Sequence, residues 1–135
     1  NQRAFGGLGV LTAGALVGGK IANNTVVATN QLYDGTNWTE GGDLSTARVG
    51  GAAAGTTTAG LVASGPSTVN VETYDGTSWS TRPSMSTAKA GGSGLMSGST
   101  STAGLMAGGY TGTADTNATE EFTKTDFQIK TVTTS

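Results

Sequence analysis

Val71-Glu72-Thr73-Tyr74-Asp75-Gly76-Thr77-Ser78-Trp79 has a close relative upstream, Gln31-Leu32-Tyr33-Asp34-Gly35-Thr36-Asn37-Trp38, and a decayed one downstream, Glu120-Glu121-Phe122-Thr123-Lys124-Thr125-Asp126-Phe127. In all three an aromatic residue is followed five positions later by another, giving Tyr33 with Trp38, Tyr74 with Trp79 and Phe122 with Phe127. Two of them hold Asp-Gly between the rings, the dipeptide that favours the positive-φ turns of tight hairpins. Each copy therefore reads as a β-hairpin with an aromatic on either arm, turning at Gly35 in the first and Gly76 in the second.

Other landmarks recur in the same order. Thr12-Ala13-Gly14-Ala15-Leu16-Val17-Gly18-Gly19, Thr58-Ala59-Gly60-Leu61-Val62-Ala63-Ser64-Gly65 and Thr102-Ala103-Gly104-Leu105-Met106-Ala107-Gly108-Gly109 are one segment written three times, at spacings of 46 and 44 residues. A repeat of about 40 to 50 residues with several short strands is the signature of a propeller blade. A Gly pair precedes each copy: Gly6-Gly7, Gly50-Gly51 and Gly91-Gly92. The unit then holds four strands, the first after the Gly pair, the second at the Ala-Gly-Leu-Val segment, the third ending at Tyr or Phe, the fourth starting near Trp or Phe. Boundaries at 1–47, 48–88 and 89–135 divide the chain into three blades. Small residues suit the first two strands, which converge on the central axis, and the aromatics suit the widening wedge between blades. From the second-strand Thr to the hairpin aromatic the units differ in length, and the extra residues, in Lys20 to Val26 and Tyr110 to Asn117, are expected as rim loops that bind.

This order of Gly pair, Tyr and Trp resembles the kelch family of β-propeller repeats, over essentially the whole chain. The third unit departs from it, with Phe122 and Phe127 in place of Tyr and Trp. The Tyr-Asp-Gly-Thr-Ser-Trp wording, with Ser45-Thr46-Ala47-Arg48 and Ser86-Thr87-Ala88-Lys89, looks most like the kelch-like repeats of tailed-phage structural proteins, particularly of marine phages. That resemblance implies a virion or extracellular-surface setting, and a role as fibre or decoration component facing a host-surface glycan or another structural protein.

Composition bounds the chemistry. The chain has 135 residues, no Cys, no His and a net charge of -2. Without His there is no Ser-His-Asp triad and no imidazole ligand for copper or zinc, so neither a metal nor another cofactor is expected. Galactose-oxidase-like enzymes share kelch-type blades, but their copper needs His. The seven basic residues are scattered, which disfavours nucleic acid, and no apolar run reaches the roughly 18 to 20 residues of a membrane span.

The residues left to consider are acids, cations and rings. Asp34, Asp75, Gln31, Glu72 and Glu120 recur from unit to unit, and a residue repeated in every blade reads as structural because catalysis needs asymmetry. A glycoside hydrolase, the rival enzyme reading, would draw its carboxylate pair from Asp115 with Glu120 or Asp43 with Glu40. Arg3, Arg48 and Lys89 form a repeated cationic set: at one propeller mouth they would hold a carboxylate or sulfate, or they bond to carbonyls of the adjacent blade. Trp38 and Trp79 could stack on sugars or fill the core. The expectation is a non-catalytic binding or structural module, with a kelch-type protein-interaction adaptor as the other alternative. Three blades cannot close a ring that takes about four to eight, so the expected partner is another copy or further blades of a longer chain.

Overall fold

A computed structural model describes residues 6–90, 95–123 and 128–132. Among these residues twelve strands form three four-stranded antiparallel sheets, each a simple meander. Blade 1 is β1 (Gly6–Val10), β2 (Ala13–Lys20), β3 (Val26–Tyr33) and β4 (Trp38–Glu40); blade 2 is β5 (Ala52–Thr56), β6 (Ala59–Ala63), β7 (Val71–Tyr74) and β8 (Trp79–Arg82); blade 3 is β9 (Leu95–Thr100), β10 (Ala103–Tyr110), β11 (Asp115–Thr123) and β12 (Gln128–Val132). The fold is an all-β, unclosed propeller of three four-stranded blades. β5 packs against both β1 and β9, so the first strands line the inner edge of the fan. At Gly6 a Cβ would lie 2.7 Å from the Cβ of Ala53; this convergence is why β1 and β5 meet through Gly and Ala there.

Each joint between blades is a small hydrophobic core. Leu8, Ala15, Val17 and Leu44, with Ala28 and Leu32 beside them, meet Val62, Tyr74 and Trp79 of blade 2. Ala52, Leu61, Ala63, Val71 and Met85 meet Met106 and Phe122 of blade 3. Period-two alternation explains the division: neighbours along β6 point to opposite joints, Leu61 forward and Val62 back. Blade 2 therefore has a front face, carrying Tyr74 and Trp79, against blade 1 and a back face that receives the front of blade 3.

The two Asp-Gly hairpins turn through four residues, with Asp34 N donating to Asn37 O (3.1 Å) and Asp75 N to Ser78 O (3.3 Å). Gly35 and Gly76 sit at φ +99° and +100°, while the Asp residues keep ordinary backbone and cap the turn by side chain. Asp34 Oδ1 accepts from the amides of Thr36 and Asn37 (2.8 and 2.7 Å), and Asp75 Oδ1 from those of Thr77 and Ser78 (both 2.8 Å). These amides hold both carboxyls below their ordinary pKa.

Two local expectations are corrected. Gly6 pairs with Val17 and Gly7 with Leu16, the places taken in blade 2 by Ala52 and Ala53. Gly6-Gly7 thus lie inside their strand, whereas Gly50-Gly51 precede theirs, and the Gly pairs are not structurally equivalent; Gly91-Gly92 lie outside the described residues. Lys20 to Val26 and Tyr110 to Asn117 do hold the β2–β3 and β10–β11 loops, 21–25 and 111–114, but the greater length of units 1 and 3 goes into longer strands and not into longer loops. β2 and β10 run eight residues and β6 only five, so the shortest repeat has the longest second loop, 64–70. Pro66, which has no amide to donate, and the left-handed Ser64 and Gly65 stop β6 early. In blades 1 and 3 two successive positive-φ glycines, Gly18-Gly19 and Gly108-Gly109, make a bulge at the same place and the ladder continues.

Candidate functional site

The connections between blades are straps bonded to both neighbours. In the first, Leu44 N donates to Ala28 O (2.9 Å) and Arg48 N to Val27 O (3.3 Å), tying the strap to β3. In the second, Met85 N donates to Val69 O (2.9 Å) just ahead of β7. The next residue reaches forward. Ser45 N and Ser86 N donate to Glu72 Oε2 and Glu120 Oε2, each at 2.7 Å, and Ser86 Oγ adds a bond of 3.0 Å.

Three residues further along comes the cation. Arg48 pairs with Glu72 and donates to Asn70 O at 2.9 Å; Lys89 Nζ lies 3.5 Å from Glu120 Oε1 and donates to Ala118 O at 2.8 Å. All four charged side chains are buried. Burial lowers the Arg48 pKa, and the charge of Glu72 works against that. Buried ion pairs gain little over an apolar substitute but are costly to break, since one partner alone leaves an uncompensated charge. Ser64 completes the second joint: its hydroxyl accepts from Lys89 N (2.6 Å) and donates to Lys89 O (3.0 Å).

Arg48 and Lys89 are thus turned into the joints, with one bond each to a carbonyl of the following blade. Arg3 lies outside the described residues. The carboxylate partners were visible in the sequence only as an unassigned repeat, Glu72 and Glu120 at matching places. The signal that would have coupled them is co-occurrence: each internal joint has both a Ser-Thr-Ala-Arg/Lys strap and a Glu two before the aromatic. Blade 1 has Gln31 at that place.

The rings divide in the same way. Tyr74 and Trp79 stack with centroids 4.9 Å apart and are buried, Trp79 being 9% exposed; burial also pushes the Tyr74 hydroxyl pKa up. Tyr33 and Trp38 stack at 5.0 Å, yet Trp38 is 50% exposed. Phe122 is buried against blade 2, and Phe127 lies outside the described residues.

Among the acids proposed for hydrolysis, Glu120 is committed to the second joint. Asp115 begins the same strand five residues earlier and is exposed, which at about 3.3 Å per residue sets the backbones about 16 Å apart, beyond the roughly 5 to 9.5 Å of a glycosidase pair. Asp43 is exposed and accepts from Asn30 N at 3.3 Å, and Glu40 sits on the exposed β4. Among the described residues no group of three or more acids could hold a metal ion, and no helix is long and apolar enough to cross a membrane.

Among the described residues a cleft with room for a ligand lies between blades 1 and 2. It encloses about 300 Å³ and is lined by Val26, Thr46, Ala47, Arg48, Val49, Pro66, Ser67 and Thr68. The strap forms its floor, and the start of β3 and the 64–70 loop form its sides, so it opens on the rim of the β2–β3 and β6–β7 loops. The Asp-Gly turns lie on the opposite rim, against Thr12 and Thr58.

No family model and no curated protein matches the sequence. Solved structures do. One of them, the structure of YjhT, superposes with a TM-score of 0.76 at 14% identity, over 98% of this chain and 46% of that one. The likeness is one of fold. This chain spans less than half the length of YjhT.

Proposed function

We propose that the protein is a non-catalytic, kelch-type propeller module of a virion or extracellular surface, which presents its loop rim to a surface glycan or a structural partner. The rim cleft between blades 1 and 2 carries this reading. Its walls mix hydroxyls from Thr46, Ser67 and Thr68 with apolar surface from Val26, Val49 and Pro66, the combination that a sugar's alternating hydroxyl and C–H edges require, in a space that takes one or two rings. The phage resemblance of the hairpin wording supports the virion setting, and the uncovered blade faces support completion of the ring by another copy or further blades.

A glycan array probed with the 135-residue protein tests the reading. Binding is expected, and Ser67→Trp, which fills the cleft from an exposed loop, should weaken it at least tenfold without changing the melting temperature. Unaltered glycan binding by that variant would move the site elsewhere. Absence of binding on the array, together with capture of a structural protein of the particle, would favour the partner-protein half.

A further inference from the structure

The rim cleft between blades 1 and 2 has two polar features that the joint between blades 2 and 3 lacks. The first is Lys20, the last residue of β2. It stands opposite Val26 in the ladder, and residues opposite one another across an antiparallel pair project to the same face of the sheet. That face is the one turned to blade 2, because Ala28 and Leu32, at even steps along β3 from Val26, pack into the first joint core. Lys20 therefore stands beside the wall that Val26 gives to the cleft. Arg48 and Lys89 are turned inward and paired; Lys20 is half-buried and pairs with no carboxylate among the described residues. In blade 2 the ladder stops at Ala63, before any counterpart of Lys20.

The second feature is Asn70. Its side-chain amide donates to Thr46 Oγ1 (3.3 Å) and its backbone amide to Thr68 Oγ1 (3.1 Å). Both threonines line the cleft, one from the strap and one from the 64–70 loop. A hydroxyl has one hydrogen to give, and with Asn70 already donating to each oxygen, that hydrogen is left for a ligand. Ala118 stands two before Glu120 as Asn70 stands two before Glu72, so blade 3 has no side-chain amide at this place.

Charge agrees with the hydrogen bonding. No acid lines the cleft, and Glu72, fully buried in the joint below, is committed to Arg48 and to Ser45 N. The cleft thus offers hydroxyl donors with an unpaired ammonium at its edge. A neutral sugar hydroxyl uses such donors only in part, whereas a carboxylate or sulfate accepts from all of them, in shorter and stronger bonds.

We propose that the ligand of the cleft is an acidic saccharide, whose carboxylate or sulfate ester accepts from the Thr46 and Thr68 hydroxyls and pairs with Lys20. This rests on the reading of the cleft as a glycan site and names the class of glycan it takes.

Calorimetric titration of the 135-residue protein with three oligosaccharides of equal length tests it: one of hexuronic acids, its carboxyl-reduced neutral counterpart, and a sulfate ester of that neutral sugar. At least one acidic probe should bind about tenfold more tightly than the neutral one, the scale of hydrogen bonds to a charged group, and the margin should shrink as salt rises. The tighter of the two acidic probes identifies the anionic group. Lys20→Gln should weaken the acidic probe about three- to fivefold, the scale of a partly exposed ion pair, and leave both the neutral probe and the melting temperature unchanged; Lys20→Arg should bind as the parent does. Equal binding of all three probes, or an acid preference that Lys20→Gln leaves intact, overturns the inference while the glycan reading stands. If no probe binds and the glycan array is also blank, both fall.

Discussion

The hairpins at Tyr33–Trp38 and Tyr74–Trp79 stack their rings at nearly the same tilt, 34° and 30°, yet one lies open and the other is sealed against blade 1. Ring geometry is a local product of the Asp-Gly turn and the antiparallel register. Burial is not local: it comes from Leu8, Ala15 and Leu32 of another blade. The same wording can therefore make a core in one place and an exposed surface in another.

Mutation can break that comparison most strongly at the rings. Trp79→Ala should cost about 3 to 5 kcal/mol in urea unfolding, whereas Trp38→Ala in dilute protein should cost under about 1 kcal/mol, as exposed side chains do. Equal losses would show that the two hairpins share one environment. The third strand gives the next largest contrast. Glu72→Leu leaves Arg48 buried without its carboxylate and should cost about 3 kcal/mol, against about 0.5 kcal/mol or less for Gln31→Leu; a stable Glu72→Leu protein would mean that the carbonyls of Asn70 and Thr46, which also accept from Arg48, suffice for the guanidinium.

Below these come two effects expected to be the same in both hairpins, because they belong to the turn. Gly35→Val and Gly76→Val each force a branched residue to φ near +100° and should each destabilise by about 1 to 2 kcal/mol. A cost at Gly76 alone would mean that the neighbouring blade, not the backbone, sets it. The smallest effect is in acid. With folded-state pKa values depressed, Asp34 and Asp75 contribute stability that is present above the ordinary carboxylate pKa and is lost as pH falls through the depressed one. Amide resonances of Thr36 and Thr77 should report midpoints below the ordinary value in both turns; an unshifted midpoint in either would break the equivalence.

Strand count, hairpins and blade number were legible from repetition, because the aromatics and the Ala-Gly-Leu-Val segment recur in register with the structure. The strap chemistry was less so. Arg48 and Glu72 stand 24 positions apart, and nothing in either residue says that they meet; both were seen as repeats without being joined. The loop of blade 2 was hidden for another reason: Pro66 ends a ladder that the other two blades extend through a glycine bulge, so a shorter count produced a longer loop. The rim cleft depends on two blades at once and has no motif of its own.

The straps also set the order in which the molecule comes apart. Among the described residues blade 2 is clasped on both sides, by Leu44–Arg48 and by Met85–Lys89, and blades 1 and 3 each on one. In a nearest-neighbour array, opening an end unit breaks one coupling and opening the middle unit breaks two. Amide exchange should accordingly be slowest along β6 and β7 and should quicken outward. Opening of either end blade then frees the face of blade 2 that it covered, Val62, Tyr74 and Trp79 under blade 1 or Leu61, Ala63 and Val71 under blade 3, so the first surface released is the core of one joint while the other stays shut.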